Sequence, residues 1–86
     1  MSTNLVYWPA SQPKKRTLAK GLKYLISQKA WGHDGWVADG PVVIGPEWAD
    51  FLNGIHVATS DDSIREAVVE LLGAISTYGR VAIELE

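Results

Sequence analysis

No cysteine occurs in this 86-residue chain, and that absence decides how any fold must be held together. Neither a disulfide framework nor a thiolate metal site can staple it, so a single apolar core has to suffice. The chain is too short for a second folding unit, and residues 1–86 are expected to form one α+β domain. A domain of this size buries only roughly 60% of the surface its unfolded chain exposes, so each large side chain matters more than in a bigger protein. The four tryptophans, Trp8, Trp31, Trp36 and Trp48, are the largest available. A cysteine-free chain suits the reducing cytoplasm. The polar opening Met1–Asn4, and the lack of any apolar run near the roughly 20 residues a spanning helix needs, predict neither a signal peptide nor a membrane segment.

Hydrophobic periodicity lays out the elements. Val6, Tyr7 and Trp8 predict a short strand over Asn4–Trp8, stopped by Pro9. From about Pro13 to Ala30, the residues Leu18, Leu22, Leu25, Ile26 and Ala30 recur at helical spacing, with Pro13 in the first turn and Ser11 as a cap. Four glycines in the stretch from Trp31 through Gly45 exclude a helix there. Asp39-Gly40, lying between Trp36-Val37 and Val42–Ile44, suggests a tight hairpin, against which Pro41 counts. Trp48, Phe51, Leu52 and Ile55 mark a helix of about two turns that Gly54 is placed to end. Asp61-Asp62 and the capping pair Ser63/Glu66 open another helix, which carries Ile64, Val68, Leu71, Leu72 and Ile75 inward and closes at Gly79. Val81, Ile83 and Leu85 alternate as a half-buried strand. The expected order is β-α-(β)β-α-α-β: a three- to four-stranded sheet covered by two main helices and one short one. Leu85-Glu86 also matches the junction that affinity-tag cloning leaves.

Charge is segregated along the chain. Six of the eight basic residues precede the first acidic one, Asp34, giving residues 1–33 a side-chain charge of +6. The remainder sets all ten carboxylates against Arg65 and Arg80, a charge of −8. On a helical wheel Arg16, Lys20, Lys23 and Ser27 share one sector opposite the leucines and predict a basic stripe. Lys14, Lys15 and Arg16 would then crowd the positive end of the helix dipole, each at a cost of roughly 0.3–1 kcal/mol.

Motifs for chemistry are lacking. No phosphate-cradling glycine pattern occurs. His33 and His56 lie 23 residues apart and have neither a catalytic signature nor metal-ligand spacing around them. Asp61-Asp62 at a helix start is accounted for by the helix dipole. The sequence therefore points to a non-enzymatic chain without a metal or cofactor. The first reading is a protein-binding module, a small regulator or inhibitor that docks through complementary charge and loop aromatics, with Arg16, Lys20, Lys23, Trp31, His33 and Trp36 as contacts. One of Trp31 and Trp36 is then expected to be an exposed anchor. The alternative is nucleic-acid binding through Arg16, Lys20 and Lys23. A further alternative is an acidic mimic of nucleic acid built from Asp61, Asp62, Glu66 and Glu70. Opposite charges could also pair between two copies in a homodimer.

Overall fold

A computed structural model describes residues 3–12 and 14–86. The order along the chain is β1 (Leu5–Pro9), β2 (Arg16–Thr17), α1 (Lys20–Trp31), β3 (Asp39–Ile44), a 3-10 turn (Pro46–Trp48) leading into α2 (Ala49–Ala58), α3 (Asp62–Tyr78) and β4 (Val81–Leu85). The fold is α+β: a four-stranded antiparallel sheet in the order β2-β1-β4-β3, with three helices. Among the described residues no helix is long and apolar enough to cross a membrane.

The first and last strands are neighbours at the centre of the sheet. Leu5 faces Leu85, Tyr7 faces Ile83 and Pro9 faces Val81, and beyond Leu5 the backbones of Asn4 and Glu86 exchange two further hydrogen bonds. Period-2 alternation sends Leu5, Tyr7, Val81, Ile83, Leu85 and Ile44 to one face. There they meet Leu22 and Ile26 of α1, Trp48, Leu52 of α2, and Ala67, Val68, Leu71, Ala74 and Ile75 of α3 in one core. Each fully buried Leu or Ile contributes roughly 1.5–3 kcal/mol relative to exposure. The opposite face carries Val6, Trp8, Val43, Ala82 and Glu84. Lys15 Nζ lies 5.0 Å from the Trp8 ring and 3.0 Å from Glu84 Oε1, closing part of this thin side.

Four expectations are corrected. Pro13 lies outside the described residues, but the helix expected from it begins only at Lys20, with Ala19 rather than Ser11 at its N-cap. The residues before it pair with β1, Arg16 opposite Tyr7 and Thr17 opposite Val6, and Leu18 donates its amide to Leu5 O at 2.8 Å. Sheet pairing satisfies this backbone without placing Lys14, Lys15 and Arg16 at a helix N-terminus. Leu25, expected inside, is 43% exposed. No hairpin forms across Asp39-Gly40; Asp39–Ile44 is one edge strand along β4, with a register irregularity between Asp39 and Val42 where Pro41 has no N–H to give. Finally, α2 runs through Gly54 to Ala58, because Phe51, Leu52 and Ile55 dock that helix by side-chain packing, and packing overrides a glycine's roughly 1 kcal/mol helix penalty.

The helix α3 starts where the acidic pair predicts, but through a different contact. Asp61 is the N-cap, with Oδ1 accepting from the Ser63 amide at 2.9 Å and the Ser63 hydroxyl at 2.7 Å; Ser63 and Glu66 do not form the expected capping box. The Ser63 hydroxyl, and next its amide, hold the Asp61 carboxyl below the usual range. A carboxyl whose pKa is lowered by folding stabilises above its unfolded value and loses that contribution as pH falls. Asp61→Ala is therefore expected to lower Tm by roughly 4–8 °C at neutral pH. The difference should fade below about pH 4, and thermal melts of the two proteins across pH check both parts.

Candidate interaction surface

The glycine-rich segment after α1 is a loop fixed at both ends and in its middle. Trp31, half-buried at the end of α1, donates its indole N–H to Gly40 O at 3.0 Å and stacks on His33 with centroids 6.3 Å apart. His33 Nδ1 accepts from the Gly35 amide at 3.0 Å, and Nε2 lies 3.1 Å from Asp39 Oδ2. Both contacts are met by the neutral tautomer with its proton on Nε2. The Thr3 hydroxyl donates to Gly35 O. Gly35 itself is buried at φ +83, and a Cβ there would lie 2.7 Å from Ser27 Oγ and 3.0 Å from Lys23 Cγ. Only glycine combines that backbone conformation with so close an approach to α1.

Beneath the loop lies Lys23, 2% exposed. Its ammonium donates to Thr3 O at 3.0 Å and sits 5.1 Å from the Tyr24 ring centroid and 5.6 Å from that of Trp36. Among the described residues it has no carboxylate partner, so the Thr3 oxygen and two ring faces supply its electrostatic complement. Trp36 packs on Tyr24 at 5.9 Å with a 55° tilt and is still 59% exposed. Val37, next to it in the chain, is exposed, as are Tyr24 and Leu25 on α1. Leu25 is also one wall of an open groove of about 530 Å³ whose other side is Phe51, Gly54, Ile55 and Ala58 of α2.

The residues expected to form a basic stripe are dispersed. Arg16 is in β2, not on a helix, and the sheet brings it beside Tyr7. Lys20 is exposed at the start of α1, and Lys23 is buried under the loop. They do not form one continuous cationic helix face. Of the acidic set, Asp61 turns back onto its own helix, Asp62 lies 3.2 Å from Arg65 Nη1, and Glu70 accepts the Tyr7 hydroxyl. Glu66 is exposed. Arg16 and Glu70, assigned by sequence to opposite readings, line the same cleft between β1, β2 and α3, together with Tyr7, Lys14, Thr77 and Tyr78. Tyr7, Lys14 and Tyr78 are not among the site residues the sequence points to, since the four polar residues Lys14 to Thr17 carry no period that would mark a strand.

The seat of the loop has a measurable energetic signature. Gly35→Ala should destabilise the protein by about 1–3 kcal/mol, through a strained φ and the clash with Ser27. Ser27 Oγ is fully buried without a hydrogen-bond partner among the described residues. Ser27→Ala should therefore raise stability, by about 1 kcal/mol. Urea unfolding midpoints test both, and native-state hydrogen exchange shows whether the Gly35 effect begins in residues 33–39.

Compared with known proteins, the chain matches no family model, no curated protein and no solved structure.

Proposed function

We propose that this protein is a non-catalytic protein-binding module that docks through Trp36. The observation that carries the reading is a 59% exposed tryptophan on a loop tied to Thr3, Lys23 and Gly40 and seated closely against Ser27. A large ring left in water on a mobile loop would lose most of its docking energy to ordering, whereas a held ring does not. Tryptophan is also the residue type most enriched among interface hot spots. Tyr24, which packs on Trp36, and Val37, the next residue, extend the apolar contact, and the exposed Asp34, two residues before Trp36, adds a charge suited to steering a charged partner. A reducing compartment, the cytoplasm, suits the cysteine-free chain.

Trp36→Ala is the direct test, since its ring packs on the surface and not in the main core. The substituted protein should keep its melting temperature within a few degrees, yet lose partner affinity by about 30-fold or more, the size of a hot spot worth about 2 kcal/mol. The partner is first captured from a lysate of the source organism on immobilised protein, and its affinity is then measured by titration. Equal affinity for both proteins would remove Trp36 from the interface. Self-association detected by sedimentation, and lost with the tryptophan, would identify the partner as a second copy.

A further inference from the structure

The two residues of β2 and the two lysines just before it divide their side chains between the faces of the sheet. Successive side chains point to opposite faces, and Arg16 lies directly across from Tyr7, on the helix side of the sheet. Lys15 therefore turns to the other face, where Glu84 and Glu86 neutralise it. Lys14 and Arg16 stay on the helix side and line a cleft of about 370 Å³ closed by the C-terminal half of α3. Among the described residues neither has a carboxylate within ion-pair distance.

At the back of the cleft the Tyr7 hydroxyl donates to Glu70 Oε2. Burial, followed by the Glu70 hydrogen bond, pushes the Tyr7 phenol up to about 12, so it stays neutral and its proton is committed to Glu70. Two cations thus face one carboxylate, and the concavity is net positive inside a protein whose net charge is −2. Pro9, Ala74 and the half-exposed ring of Tyr78 supply apolar walls. Gly73 lies in the wall without a side chain, and a Cβ there would meet nothing within 4 Å.

We propose that this cleft binds a small cyclic organic anion, a carboxylate or a phosphate monoester, with its charged group on Arg16 and Lys14 and its ring against Tyr78 and Pro9. Arg16 supplies the planar fork that suits either anion, and Lys14 supplies a point charge. The free Glu70 oxygen accepts a hydroxyl or amine of the ligand. The site is separate from the Trp36 surface and stands or falls independently of it.

The test is an amide NMR titration of the full chain with phenyl phosphate, with benzoate, and with phenol as the uncharged control. Phosphate or carboxylate should produce saturable shifts at Arg16, Thr77 and Tyr78, and whichever binds more tightly identifies the anion class. Phenol should produce none. Arg16→Ala should weaken binding at least about tenfold, the loss of one charge-assisted contact. Gly73→Leu should do the same by filling the cleft with both cations intact, and as a helix-favouring change it should leave the fold at least as stable. Absence of saturable shifts up to about 10 mM, well beyond the millimolar range of weak sites, overturns the proposal. So does equal binding of phenol, or undiminished binding in either variant.

Discussion

The ladder between β1 and β4 is the constraint on which the other contacts rest. It joins the two ends of the described chain down the middle of the sheet, from Leu5 opposite Leu85 to Pro9 opposite Val81. Only after these distant segments meet does the inner face of Leu5, Tyr7, Val81, Ile83 and Leu85 exist as a surface for the three helices. The cost of closing so long a loop comes before the reward from packing, so folding should be slow for a chain of this length. The ladder also fixes both surfaces discussed above. It sets Tyr7 against α3 and Glu70, and it brings Thr3, just before β1, to Lys23 and Gly35 beneath the aromatic loop.

One basic cluster is put to two unrelated uses by the smallest possible strand. Just before the two residues of β2 the adjacent lysines diverge: Lys15 covers the thin side of the sheet over Trp8, and Lys14 faces the cleft. Read as a helix, the same residues would present a stripe to solvent. The segregation of charge in the sequence is genuine, but in three dimensions it is divided among a surface ion pair, a cleft and a buried ammonium between aromatic rings.

Where local preference and tertiary packing agree, the sequence is legible. The period of Val68, Leu71 and Ile75 gives α3, Val81, Ile83 and Leu85 give β4, and Trp48 enters the core as its helical spacing implies. The start of α1 is not legible, because Lys14 to Leu18 holds a single apolar residue and so shows neither a helical nor a strand period, and the choice is made by β1. Nor is the role of Lys23, since a lysine on a polar sector carries no sign that a loop will fold over it. For the two loop tryptophans, composition raised the question and geometry separates them: Trp31 is spent on Gly40 O and the His33 ring, while Trp36 rests on Tyr24 and faces outward.

The sheet's two borders also bear on how this protein behaves when crowded. An open strand edge recruits other strands when it is long, regular and rich in free N–H groups. Here one border is the two-residue β2, and the other is β3, broken in register between Asp39 and Val42 and lacking a donor at Pro41. Neither offers a template that a second chain could copy for more than a few residues. Growth into fibrils by sheet extension is thereby obstructed at both sides. Even with the Trp36 ring largely in water, the sheet itself gives a crowded solution little to build on.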